Sequence, residues 1–435
     1  MSSPVPDPIM TKLRAVEAQI QAGELASALA ALDRVRTEAR GDVRVCLVEA
    51  TLARAGNDAV KEIAALDRAI SLTPRWPVIH IERCKALGRM EKTDEALAAA
   101  VMMVDVAPND LAALELAVSV ANLAGAHAFA ERCLRAALAL RPGDVAIMHP
   151  LAISLYDQRR FAEAEPFYRT ALGANPDSAS ALAGLGACLT ELGRAAEAVA
   201  CFERALSLQP GDPRFEFYLA LARGETPPTQ PAVLTEKLFD NYSGRFDAHL
   251  TGELKYRVPG FIADIVRRRH PLCDIDVLDL GCGTGLIAVN LGKVSGAFVG
   301  VDLSANMLQR AQCLGIYTRL RHGDLRSELD HSAADSYDYI IAADVFIYVG
   351  DLADLIPFAF RALRPGGALI FSCETAADSE GDFVMRPSKR YAHSRAYVER
   401  LCRDAGFGVV GFEEIELRME ERVPISGYIV VAEKA

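Results

Sequence analysis

Apolar positions in the first half of the chain fall in paired helical stripes that recur with one period. Leu182, Leu185, Gly186 and Leu189 mark one amphipathic helix, and Ala198, Phe202 and Ala205 mark a second. These spacings of three, four and seven residues are those of one helix face. One period upstream the matching positions are Met148, Leu151, Ala152, Leu155, Ala164, Tyr168 and Ala171, and one further back Leu114, Ala117, Ala121, Ala130, Leu134 and Ala137. Pro74, Pro108, Pro142, Pro176 and Pro210 each stand 34 residues after the last. Proline cannot continue a helix hydrogen-bond ladder, so each closes one pair and stiffens the turn into the next. Small residues such as Ala164 and Ala198 let the two helices of a pair approach closely. The pattern predicts an all-α solenoid over residues 9–210, about six units long, behind a short tail at 1–8. Its first unit is degenerate, with Arg40 where the later ones carry proline.

Residues 212–223 predict one more amphipathic helix (Phe215, Phe217, Tyr218, Leu221) to close the open end of that stack. Gly224-Glu-Thr-Pro-Pro-Thr-Gln-Pro231 follows, an extended, semi-rigid linker by its prolines. Capping helix and linker together occupy 211–231. Beyond 232 the period changes. Short apolar strands are expected at 274–280, 297–302, 337–344 and 368–373, with closing strands at 408–417 and 425–431. Helices at 286–293, from Ser304 and at 352–363 lie between them. Alternating strands and helices of this length predict a doubly wound, mostly parallel α/β sheet over 232–435. Ligands of such sheets sit beyond the carboxyl ends of the strands.

The ends of those strands carry the candidate chemistry. The first is Asp279-Leu-Gly281-Cys282-Gly283-Thr-Gly285, a glycine turn running into a helix. Glycine permits a tight turn and close backbone approach by a ligand. Leu286 stands where a dinucleotide fingerprint wants its third glycine. Asp279, ahead of the loop, suits a cationic ligand group. Asp302 ends the second strand at the distance where an acid accepts ribose hydroxyls.

Two resemblances follow. The first half resembles the tetratricopeptide repeat family, whose unit is 34 residues. That likeness implies a groove for peptides or partner helices, or a self-association surface. Val78, Ile81, His149, Ile153, Ala183 and Ala187 occupy the groove positions, which shows no carboxylate clamp. The second half, from about Leu234 to Ala435, resembles the class I S-adenosylmethionine-dependent methyltransferases, with a Rossmann-like sheet. The resemblance implies that Asp279 and the Gly281-Cys282-Gly283-Gly285 turn hold the methionine end of S-adenosylmethionine. It places the ribose on Asp302 and the adenine amine on Asp324, between Leu303 and Leu325. The turn Leu363-Arg-Pro-Gly-Gly367 matches the same family, and residues 238–247 resemble its aromatic entry element, with Tyr242 and Phe246 toward the cofactor. Asp344 falls near the transferred methyl. Its context, Asp344-Val-Phe-Ile-Tyr348, lacks the Pro-Pro-aromatic run of enzymes acting on base or amide nitrogens. The pairing of the two halves resembles bacterial methyltransferases fused to such repeats.

Charge and composition narrow the partners. Across 435 residues, 47 Lys and Arg against 58 Asp and Glu give a net charge of −11, unsuited to non-specific binding of nucleic acid or anionic membrane. Hydrophobic residues at 51% and charged residues at 24% are globular values. The longest apolar run, residues 96–104, is too short to cross a bilayer, and the N-terminus does not read as a signal peptide. Ten cysteines without a C-x-x-C pair predict buried thiols of a reducing cytoplasm and no zinc site.

Methyl transfer from a sulfonium is mostly positioning and water exclusion, with a base needed for a hydroxyl acceptor. The candidate catalytic residues are Asp344, His393 and Tyr391, with His249 a further histidine. Residues 374–393 form a polar insert in which Arg386, Lys389, Arg390, Tyr391 and His393 concentrate positive charge, read either as a solvated loop or as a site for an acidic acceptor. The expected activity is methyl transfer to an unidentified acceptor, preferably a small molecule. The rivals are a protein methyltransferase whose repeats recruit its substrate, and a scaffold that binds S-adenosylmethionine without turnover.

Overall fold

A computed structural model describes residues 7–90, 92–242, 256–420 and 423–435. The chain divides into two compact units, residues 1–208 and 209–435.

The first unit is built from six helix pairs, from Pro8–Gln21 with Leu25–Glu38 to Ala179–Glu191 with Ala195–Leu208. Asp42, Asp110, Asp144 and Ser178 accept backbone N–H bonds at the first helix of successive pairs, 34 residues or a multiple apart. An N-cap oxygen satisfies amides that the first turn leaves unpaired. Within a pair and between neighbouring pairs, large rings fill gaps left by small residues. A Cβ on Gly184 would stand 2.4 Å from the Tyr168 ring, and one on Gly186 2.9 Å from Phe202. Ion pairs repeat with the period as well. Arg160 reaches back to Glu131 at 2.6 Å, and Arg194 to Glu165 at 2.7 Å.

The second unit is an α/β sheet of β1 (Val277–Leu280), β2 (Phe298–Asp302), β3 (Arg319–His322), β4 (Tyr337–Ala342) and β5 (Leu363–Ala376), all parallel, in the order β3-β2-β1-β4-β5. Further along the chain come β6 (Phe383–Met385), β7 (Tyr391–Ser394), β8 (Val409–Glu420) and β9 (Val423–Glu433). β9 runs antiparallel to β5, and β8 antiparallel to β9. Two apolar clusters cover the sheet, one around Leu280, Ile340 and Phe371 and the other around Val277, Tyr339 and Ile370. Residues buried on both faces explain why β1, β2 and β4 read as mostly apolar runs.

Three expectations change here. The helix Pro213–Ala222, expected to cap the repeats, falls within the second unit. The insert at 374–393 is a solvated loop only in part: β5 runs on to Ala376, β7 pairs parallel with 374–376 and β6 antiparallel with β7, while 377–382 and 387–388 are exposed. Its charges are also taken. Arg386 pairs with Glu380, Arg390 with Glu420, and the Lys389 ammonium lies over the Tyr218 ring. No helix among the described residues is long and apolar enough to cross a membrane.

Candidate functional site

β1 stops at Leu280, and the turn beyond it is left-handed at Gly281 (φ 62°), Gly283 (φ 54°) and Gly285 (φ 95°). Only glycine takes these angles at no steric cost. Gly281 also lies so close to Val345 that a Cβ would come within 2.5 Å of its methyl. Asp302, the last residue of β2, fastens this turn. Its Oδ2 accepts from the Gly283 amide at 2.8 Å and its Oδ1 from the Ser304 amide at 2.8 Å. The Ser304 hydroxyl donates to Asp240 at 2.6 Å, tying in the helix Ala232–Tyr242. Burial raises the Asp302 pKa, opposed by the two amides.

A cavity of about 900 Å³ opens over these strand ends. Of the residues expected to hold a cofactor, Gly281, Gly283, Asp302, Leu303, Asp324 and Leu325 line it. Asp324 is also a helix N-cap, its Oδ1 accepting from the amides of Arg326 and Ser327. Asp279, Cys282 and Gly285 do not line it. Asp279 is 1% exposed and accepts from the Tyr317 hydroxyl at 2.6 Å, and burial pushes its carboxyl up to about 7. The side chains of Tyr242, Phe246 and His249 lie outside the described residues.

Asp344 lines the cavity two residues past the end of β4, with its backbone left-handed at φ 54°. Such an angle costs a non-glycine residue energy and recurs at functional sites. Both carboxylate oxygens are held: Oδ1 accepts from the Ser372 hydroxyl at 2.8 Å and Oδ2 from Arg418 Nη1 at 2.8 Å. Arg418 also donates to Glu374 and is only 4% exposed. Burial disfavours its charge, yet the two carboxylates outweigh that and keep the guanidinium charged. Sequence reasoning missed Arg418 and Ser372. The signal available was a lone arginine inside an otherwise acidic closing strand, too common a pattern to single out.

His393 and Tyr391 are corrected. Neither lines the cavity, and both are 0% exposed. His393 Nε2 faces the carbonyls of Val349 and Gly350 at 3.0 and 2.9 Å, so it carries the proton and donates. Burial depresses its pKa to about 4. The Tyr391 hydroxyl donates to the Pro227 carbonyl at 2.8 Å. Both side chains hold backbone in place and are too enclosed to meet a substrate.

An open α/β sheet with a glycine turn after β1, an acid ending β2 and a cavity over both defines a nucleoside-binding domain. The comparisons specify it. Residues 277–367 match the methyltransferase domain family, and residues 149–213 match the tetratricopeptide repeat, so the chain joins repeats of that kind to a methyltransferase-family domain. The ubiquinone biosynthesis O-methyltransferase of Hydrogenovibrio crunogenus is 32% identical over 100 residues, 22% of this chain and 41% of that protein. The human mitochondrial enzyme of the same name is 27% identical over 153 residues, 32% of this chain and 41% of that protein. The chain thus spans about two fifths of the length of these relatives. A solved S-adenosylmethionine-dependent methyltransferase from Thermotoga maritima, described as a possible histamine N-methyltransferase, aligns with TM-score 0.35 and 18% identity over 46% of this chain and 99% of its own.

This domain family implies S-adenosylmethionine as cofactor, and the residues present fit it. Leu303 and Leu325 offer apolar walls for a base, Asp302 and Asp324 offer acceptors for hydroxyl and amine donors, and the turn at 281–283 leaves room for close approach. Leu286 closes off the third-glycine position that a dinucleotide turn uses.

Proposed function

We propose that the second unit transfers a methyl group from S-adenosylmethionine to an oxygen of a small molecule. The observation that carries this reading is the single cavity joining the 281–283 turn, Asp302 and Asp324 to Asp344. The cofactor supplies a methyl on a positively charged sulfur that leaves as a neutral thioether. Asp302 takes the ribose hydroxyls through lone pairs not used on Gly283 and Ser304, and Asp324 takes the adenine amine. Asp279 contributes although it does not line the cavity, because a positive ligand group favours its ionised form.

Oxygen is favoured as the acceptor atom because the curated relatives are named O-methyltransferases. A hydroxyl acceptor must lose its proton. Asp344 is oriented by Ser372 and Arg418 to accept it at the cavity wall. Apolar lining from Leu238, Phe239, Ile347 and Tyr348 excludes water from the transfer. A small molecule is favoured because one cavity of about 900 Å³, inside the range of small-ligand sites (roughly 300–1,000 Å³), must hold both the cofactor and the acceptor. The repeats serve as a module for a protein partner.

Calorimetry with S-adenosylmethionine tests the cofactor. Asp302→Ala is expected to weaken binding by about 1–3 kcal/mol through lost hydrogen bonds, and unchanged affinity would remove the assignment. Incubating the chain and labelled donor with a cell extract split into low-mass and protein fractions tests the acceptor. Label confined to the protein fraction would reverse the small-molecule reading.

A further inference from the structure

The segment 227–231, composed like a linker, is bound into the wall of the cavity. The Pro228 carbonyl accepts from the amides of Gly350 and Asp351 at 2.9 and 2.8 Å, and the Gln230 amide donates to the Tyr348 carbonyl at 3.1 Å. Thr229 and Val349 form an antiparallel bridge. Below this, the Tyr391 hydroxyl holds the Pro227 carbonyl, and the Gln230 side chain donates to the Lys389 carbonyl. His393 in turn holds the carbonyls of Val349 and Gly350, the stretch to which the segment is paired. Pro228, Thr229, Gln230 and Pro231 then line the same cavity as Asp302 and Asp344.

A chain that merely joined two units would leave its amides to water and carry no buried side-chain anchors. This one is fastened at successive residues, and two buried side chains of β7, Tyr391 and His393, are spent on it. We propose that residues 227–231 form a strap that walls the acceptor end of the methyl-transfer cavity and limits which small molecules enter, with Tyr391 and His393 as its positioning residues. The three prolines and the absence of any charge in the strap suit an acceptor that presents an apolar face to it. The limit on acceptors rests on the methyltransferase reading; the fastening of the strap does not.

The test uses the full chain, with Tyr391→Phe and Gln230→Ala as separate variants. Each deletes one anchor and leaves the catalytic side chains intact. Amide hydrogen exchange at Gln230, Gly350 and Asp351 reports the strap. Calorimetry with S-adenosylmethionine reports the cofactor end, and label transfer to the low-mass fraction of a cell extract reports the acceptor end. The expectation is strong protection of the three amides in the parent chain, at least tenfold faster exchange in each variant, and cofactor affinity within about twofold. The labelled products should broaden or their formation slow at least tenfold. Parent amides exchanging like free peptide would overturn the strap, as would freed amides with an unchanged product pattern. A parent chain with protected amides that binds no S-adenosylmethionine would support the strap's fastening and count against the cofactor reading alone.

Discussion

Arg418 carries its charge at 4% exposure because Asp344 and Glu374 both face it. A buried ion pair replaced whole by apolar residues is often neutral in stability, whereas removing one partner strands the other. Arg418→Met is therefore expected to destabilise the second unit by about 3–5 kcal/mol, read by denaturant unfolding. Added Asp344→Asn should recover part of that loss by relieving one stranded carboxylate, and a purely additive double variant would disprove the coupling. His393 makes the opposite kind of residue, a buried group that stays neutral. Its folded pKa of about 4 lies below the ordinary 6.5, so on acidification the unfolded chain takes the proton first. Its stabilising contribution is complete above about pH 6.5 and is lost as pH falls toward 4. The parent chain should lose about 2 kcal/mol from this group between pH 7 and pH 5. His393→Gln, which cannot titrate, should show a correspondingly shallower pH dependence in parallel unfolding curves; identical slopes would disprove the assignment.

At the scale of elements, periodicity decides what can be read in advance. The repeats were legible because each unit shows the same apolar stripe, and five prolines in register announce the turns. A second signal went unused, the capping acids at Asp42, Asp110, Asp144 and Asp212. In the α/β half β1, β2, β4, β5 and the closing strands β8 and β9 were legible, and so were the turn at 281–285 and Asp302, since glycine and acid at strand ends have a local cause; β3, Arg-Leu-Arg-His with no buried residue, was missed because it carries no apolar run. The strap, β6, β7 and the Arg418 contacts were not. They depend on pairings across long sequence separations, such as Tyr391 with Pro227, which leave no local periodic trace. His393 shows the cost: its position near an expected acceptor loop suggested a base, and only burial reveals an anchor. The glycines of the repeats give an element-scale prediction. Gly184→Ala drives a methyl into the Tyr168 ring, which is 2% exposed. The first unit should lose about 1–3 kcal/mol, as overpacked cores do. Gly184→Ala in a Tyr168→Leu background should cost less, and an equal cost in both would remove the ring contact as the cause.

For the molecule as a whole, the division at residues 208 and 209 places the cavity, strap and helix Pro213–Ala222 together in one unit. A ligand that binds only the folded form of a unit raises that unit's stability in proportion to the logarithm of its concentration over Kd. At a hundredfold excess this amounts to about 2.7 kcal/mol, or roughly 5–10 °C for a unit of this size. Scanning calorimetry of the full chain should therefore show two transitions, of which S-adenosylmethionine moves one. The Asp302→Ala variant marks which, because its ligand shift should shrink while the other transition stays fixed. A single transition, moved as a whole by the cofactor, would instead mean that the repeats and the methyltransferase-family domain unfold as one cooperative block.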